Sequence, residues 1–348
     1  MKVVVIGASG NVGTAVLRAL REAPDVTEVV GVARRVPRRV PPPPYDVAAW
    51  VSVDVGAADG ENVVATLSRA MDGADAVIHL AWAIQPNHDR KRLRRTNVLG
   101  TARMLAAARR AGVDNVVIAS SVGAYSPCHD DAPRDEAWPT DGVPSCEYSV
   151  DKADVEQLLT EHEIAHPEIR ITRLRPALIF QRDAGSEIIR YFVGGGVPPR
   201  VFDGKLPVLP WPHGMRLQAV HADDVAQAYL LAMRARAGGA FNIAADDVLG
   251  GAQIAGLLAG GRYFTVPTAA ARAAVSVAWN SRALPVSPGW IDMAASAPVM
   301  YTGRARTELG WRPTHSARDT VAEVLGGMVD GAGTASPPLR PRRGKRKQ

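Results

Sequence analysis

Tyr148 and Lys152 lie four residues apart in a stretch, Glu147–His162, whose pattern reads as a helix, so the two side chains share one face. A phenol beside an ammonium group can exchange a proton with a hydroxyl or a carbonyl. An isolated phenol titrates near pH 10, too high for that exchange near neutrality, and an adjacent positive charge would lower it. The spacing alone is common, and an amphipathic surface helix would also produce it. Two further features give it weight. Ser120 and Ser121 close a strand-like run at Asn115–Ala119, placing hydroxyls at the carboxyl edge where doubly wound sheets bind ligands. Gly7, Gly10 and Gly13 stand between a β-branched run, Val3–Ile6, and the helical pattern that starts at Thr14. Glycine lets a backbone turn sharply and approach a pyrophosphate, while the helix start offers unpaired N–H groups. Gly7, Ser9, Gly10, Asn11, Val12 and Gly13 are thus the expected phosphate-binding turn.

These groups need elements to hold them. Strand-like runs recur at Glu28–Ala33, Trp50–Val53, Ala76–Leu80, Asn115–Ala119 and Ile169–Leu174. Helical patterns separate most of them, at Glu61–Met71, Arg90–Ala111 and Glu147–His162. Strand and helix in alternation imply right-handed crossovers and a doubly wound parallel sheet, an α/β Rossmann-type fold. That domain is expected over 1–175. Residues 215–245, with a strand and helix near Leu217–Met233, are expected to return to its main sheet. Residues 176–214, rich in Gly and Pro, and residues 246–330 would form a smaller, mostly helical substrate lobe. From Gly331 onward, Gly, Pro, Ser and basic residues predict a disordered basic tail.

The end of the second strand bears on dinucleotide choice. An acidic residue there would bond the ribose hydroxyls of NAD, but the chain reads Arg34-Arg35. Two guanidinium groups suit a 2′-phosphate, so NADP is favoured over NAD. The alternative is a solvated basic loop, since Arg38 and Arg39 extend the run. Asp54, at the end of the third strand, is placed to contact the adenine.

Composition narrows the classes. At 348 residues, 47% hydrophobic and 22% charged, the chain is an ordinary globular one of one or two domains. The formal net charge is +6, but six basic residues crowd the last nine positions, and the remainder carries 35 basic and 35 acidic groups. A neutral body with a basic end excludes a protein built around specific nucleic-acid binding. Two cysteines, Cys128 and Cys146, supply no disulfide framework, and no apolar stretch is long enough to span a membrane. With a strand pattern starting at once and no signal peptide, a cytoplasmic location is expected.

Taken together, these residues resemble the extended short-chain dehydrogenase/reductases of the NAD-dependent epimerase/dehydratase group. The matching features run in order from the Gly7/Gly10/Gly13 turn through Val77–Ala81, Asn97–Thr101, Ser120-Ser121 with Tyr125, and Tyr148 with Lys152. They continue with Leu174–Pro176, Val220–Val225, Phe241–Ile243 and Leu309–Pro313, covering about residues 1–320. The resemblance implies that Tyr148 is the general acid/base and that Lys152 lowers its pKa and holds the nicotinamide ribose. It implies that Ser121, rather than Ser120, bonds the reacting oxygen and that Asn97 supports the lysine through a water. Val55, Leu80 and Ala81 would line the cofactor path, and the hydride would come from the cofactor. It also implies a homodimer built on the Arg90–Ala111 and Glu147–His162 helices.

Two departures point away from nucleotide sugars. Leu178 stands where such epimerases carry an asparagine for the substrate diphosphate, and Leu217 where they carry an arginine, although the adjacent Arg216 could substitute. A less charged small-molecule alcohol or ketone, steroid-like or polyketide-like, becomes the expected substrate, with Trp82 and Trp211 as candidate pocket walls. The expected activity is NADP-linked interconversion of a secondary alcohol and a ketone. Nucleotide-sugar 4-epimerase or dehydratase with bound NAD is the alternative, and a non-catalytic dinucleotide sensor a remoter one. His162-Glu163-Ile164-Ala165-His166 matches a zinc-peptidase pattern, but Pro167 pushes His166 out of helical geometry, so no metal site is expected. His221 reads as structural. Pro42-Pro43-Pro44-Tyr45 resembles a WW-domain ligand, and a stiff loop explains it more simply.

Overall fold

Val3, Val4 and Val5 expose no surface, and Ile6 almost none, because the strand they form is covered on both faces. Val3 and Val5 point into one apolar cluster and Val4 and Ile6 into the other. This is the continuous apolar pattern of a strand inside a parallel sheet. The computed structural model describes residues 1–37, 41–85, 88–194 and 196–342. Its first half alternates as the sequence predicts: β1 (Lys2–Ile6), α1 (Asn11–Arg21), β2 (Glu28–Ala33), β3 (Ala48–Ser52), α2 (Gly60–Ala70), β4 (Ala76–His79), α3 (Arg90–Arg94), α4 (Gly100–Ala111), β5 (Asn115–Ala119), α5 (Glu147–Ala165) and β6 (Arg170–Pro176).

The second half contains β7 (Leu178–Phe180), α6 (Gly185–Ile188), β8 (Leu209–Pro212), β9 (Leu217–His221), α7 (Ala222–Ala235), β10 (Gly239–Ile243) and β11 (Val248–Leu249). α8 (Gly251–Leu258), β12 (Tyr263–Val266), α9 (Thr268–Asn280), α10 (Gly289–Ser296), α11 (Gly303–Glu308) and α12 (Ala317–Asp330) follow.

Seven parallel strands form the central sheet in the order β10-β6-β5-β4-β1-β2-β3, which is the expected doubly wound architecture. β1 has β2 on one side and β4 on the other, so the strand order reverses there. A crevice opens at such a reversal, outside the carboxyl ends of the strands. The turns after β1 and β4 form its two lips.

The structure corrects three expectations. β9 does not enter the main sheet; it pairs with β7 and β11 in a small separate sheet, and β10 is the strand that returns, beside β6. β6 pairs with β10 as far as Pro176, the Ala177 N–H adds a last bond to Ile243 O at 2.9 Å, and the chain then enters the second sheet as β7. The helix predicted over Arg90–Ala111 is interrupted by a wider, π-helical turn at Arg95–Leu99, which contains Asn97. The predicted disordered tail is ordered over 331–342, where Leu339 and Ser336 expose no surface. Its polar composition hid the fact that its hydroxyls find buried partners; Arg343, Lys345, Arg346 and Lys347 lie outside the described residues, as do Arg38 and Arg39.

Candidate active site

The turn after β1 fits a pyrophosphate through its backbone. Gly7 has φ +92°, a conformation glycine adopts freely, and its N–H donates to the Val32 carbonyl at 2.8 Å. A Cβ on Gly13 would lie 2.4 Å from the Gly7 carbonyl oxygen, so any larger residue would push the turn open. Gly10 caps α1 with no side-chain hydrogen bond, which leaves the first N–H groups of that helix facing the cleft. This unfilled donor set at a positive dipole end is suited to a dinucleotide. Asn11 lines the cleft, and its side-chain amide donates to Ile179 O at 3.2 Å and accepts from Gln181 at 2.6 Å, tying the turn to β7 and the residue after it.

The cleft holds about 410 Å³ and runs from this turn to Tyr148. Arg34, Arg35, Asp54 and Val55 line one end, and Leu80, Ala81 and Trp82 the opposite lip. Asp54 accepts from Gly56 N at 3.0 Å and lies 3.9 Å from Arg34.

At the inner end, α5 and the end of β5 bring Ser121, Tyr148 and Lys152 together. Lys152 is 2% exposed and donates to the Ala119 carbonyl at 2.8 Å. The face of Trp82 covers its ammonium 3.5 Å from the ring centroid. Burial lowers the Lys152 pKa to about 7, with the Glu156 and Asp151 carboxylates pulling the other way. Burial also pushes the Tyr148 phenol up to about 12, opposed by a hydrogen bond with the Ser121 hydroxyl. The phenol is thus set chiefly by its burial.

The Ser120 hydroxyl donates to Glu156 at 2.5 Å. Glu156 is buried with Arg175 clamped on both its oxygens, at 2.8 and 2.9 Å. Burial pushes that carboxyl up, but the Arg175 hydrogen bonds and charge prevail and hold it near 2. The Asn97 side-chain amide accepts from Ala83 N at 2.8 Å, donates to Ala83 O at 3.0 Å, and donates to Asp151 at 3.2 Å. The π-helical turn aims it at the loop that carries Trp82.

Several residues on the cleft escaped sequence analysis. Trp290 packs against the Tyr148 ring with centroids 5.0 Å apart and the planes tilted by 34°, and Phe192 packs edge-on against Trp290. Glu187 and Tyr191 line the cleft near Arg35. Burial raises Glu187 to about 7, against the pull of Arg190 and Arg35. The Gly/Pro-rich composition around them marked a functional loop but gave no register to single them out. Two expected contributors are elsewhere. Trp211 packs in a separate cluster and donates to Met215 O, and Arg216 is held by the carbonyls of Cys128 and Asp130 and by Asp131. Tyr45 of the proline-rich run is 1% exposed. His166 falls just past the end of α5, and His221 caps α7. Among the described residues, no helix is long and apolar enough to cross a membrane.

A model of the NAD dependent epimerase/dehydratase family matches residues 3–244. The chain belongs to that family. It is similar to a 3-diazoavenalumate denitrifying reductase from Streptomyces sp, 28% identical over 90% of this chain and 97% of the relative. It is 33% identical to a UDP-glucose 4-epimerase from Azospirillum brasilense over 57% of this chain and 50% of that one. Among solved structures, the UDP-glucose 4-epimerase of Thermus thermophilus in complex with NAD superposes with a TM-score of 0.67 at 19% identity, covering 94% of this chain and 99% of that one, a likeness of fold. The relatives within the family thus include reductases and epimerases.

The depressed Lys152 pKa generates a stability prediction. Between about pH 7 and 10.5 the unfolded chain holds a proton that the folded chain has lost, so stability rises with pH across that window. Lys152→Met should therefore melt above the parent at pH 6, by an amount equivalent to a few kcal/mol (roughly 1.4 per pKa unit), and the gap should narrow toward pH 10. Melting curves showing a gap independent of pH would contradict the assignment.

Proposed function

We propose that this family member is an NADP-linked oxidoreductase that interconverts a secondary alcohol and a ketone. The observation that carries the reading is the convergence of Ser121, Tyr148 and Lys152 at the inner end of the cleft that begins at the glycine turn. When bound, the nicotinamide would supply or accept the hydride. The α1 N-terminus would hold its pyrophosphate, and Arg34 and Arg35 the 2′-phosphate. Tyr148 would donate a proton to the carbonyl oxygen during reduction and remove it from the alcohol in the reverse direction. Ser121 would fix that oxygen by hydrogen bonding. Lys152 would orient the ribose, and its charge beside the phenol would favour the phenolate.

The substrate side of the cleft supports an apolar ligand. Trp82, Leu178, Phe192, Trp290 and Met293 line it. Leu178 in that wall offers a diphosphate no donor, and Arg216 is engaged with the Asp130 carbonyl. The reductase relative, similar along nearly its whole length, supports net reduction over cofactor recycling.

Incubation of the protein with NADPH and a panel of ketones should give net loss of NADPH absorbance, and UDP-glucose should give no epimer. Tyr148→Phe should lower kcat by about 10²-fold or more with little change in NADPH affinity. Full activity in that variant would remove Tyr148 from the acid/base role. Arg34→Ser combined with Arg35→Ser should weaken NADPH by about 10- to 100-fold while leaving NADH within about threefold, the loss of charge-assisted phosphate contacts. Equal losses for both dinucleotides would contradict the NADP preference.

A further inference from the structure

Residues 332–342 are tied to both sides of the dinucleotide cleft. The fully buried Ser336 hydroxyl donates to the Ser9 carbonyl in the phosphate turn at 2.6 Å. Thr334 and Tyr45 share a hydrogen bond of 2.6 Å, Tyr45 and Thr14 one of 3.0 Å, and Thr14 donates to the Gly10 carbonyl at 2.8 Å. On the other side, Arg190 donates to the carbonyls of Pro338 and Arg340, and the Arg342 N–H donates to Ser186 at 3.0 Å. Within the segment, Thr334 N–H donates to Leu339 O at 2.8 Å, and a Cβ on Gly333 would lie 2.2 Å from that same oxygen. The loop is therefore closed on itself, with Leu339 buried beneath it and Pro338 in the cleft wall.

We propose that residues 332–342 form a strap that completes the dinucleotide site, with Ser336 as a positioning residue for the phosphate turn. The proposal rests on the dinucleotide reading above. The Ser9 carbonyl is the negative end of a peptide dipole beside an anion site, and the N–H of the same peptide, on Gly10, donates to the Gly7 carbonyl at 3.0 Å. The buried Ser336 hydroxyl on the oxygen fixes that peptide at its other end, and so holds the turn that leads into α1. Ser186 and Arg190 anchor the far side of the strap in α6 and the turn that follows it, the stretch that also carries Glu187 and Tyr191. The strap thereby couples the phosphate turn to the opposite wall, and it would retard escape of a bound dinucleotide.

Titration calorimetry with NADPH, NADH and ADP tests this on the full chain, on Ser336→Ala and on a variant ending at Gly331, alongside thermal melting without nucleotide. One neutral hydrogen bond corresponds to roughly two- to tenfold in an equilibrium constant. Ser336→Ala should raise the three dissociation constants about threefold, and the deletion about tenfold or more, because ADP also carries the pyrophosphate. Ser336→Ala should still melt in one cooperative step. Should the deletion fail to fold, Ser336→Ala with Pro338→Gly takes its place with the same expectation. Amide exchange over 332–342 in the full chain should slow when NADPH binds. Unchanged constants in the folded variants, tighter binding after deletion, or exchange indifferent to NADPH would overturn the strap alone. Failure of the full chain to bind any of the three nucleotides would overturn the reading beneath it as well.

Discussion

A lysine ammonium enclosed at the carboxyl end of β5 governs the arrangement around it. Removing that charge from water is unfavourable, and the interior returns only a carbonyl at 2.8 Å, the face of one indole and two carboxylates acting at longer range. Burial accordingly lowers its pKa to about 7. A site organised this way gains from a bound group that brings hydroxyls to the ammonium, as a ribose does. The same ammonium, fully charged, would then act on a phenol that desolvation otherwise keeps protonated. In this account cofactor binding and acid/base competence are one event.

The fold makes that site available through two constraints. Reversal of strand order at β1 opens the crevice, and close packing of Gly13 on Gly7 forces the turn to present backbone rather than side chains. Behind the crevice, Glu156 clamps Arg175 and takes the hydrogen of Ser120, fixing α5 against β5 and β6. Tyr148 and Lys152 lie on the same helix as Glu156, so this buried ion pair sets their height over the sheet.

Much of this was legible in the sequence because its signals were local. A β-branched run before three glycines and a helix can be read without tertiary information, as can a tyrosine and a lysine one turn apart. What was missed depends on long-range partners. β9 pairs with β7 and β11 rather than in the main sheet, which the pattern of Leu217–His221 does not reveal. Trp290 and Glu187 reach the cleft from loops and short helices with no periodicity to follow. The 332–342 segment looked solvated because its burial is carried by one leucine and a few hydroxyls. Spacing put Lys152 near Tyr148, yet both groups are shifted chiefly by burial, which spacing cannot report.

The most direct test is a crystal structure of the complex with NADP. This account predicts the pyrophosphate against the N-terminus of α1, the 2′-phosphate at Arg34 and Arg35, and the nicotinamide ring within about 3–4 Å of the Tyr148 hydroxyl, with Lys152 on the adjoining ribose. A dinucleotide bound elsewhere, or one whose ring is kept from Tyr148 by Trp82, would contradict it.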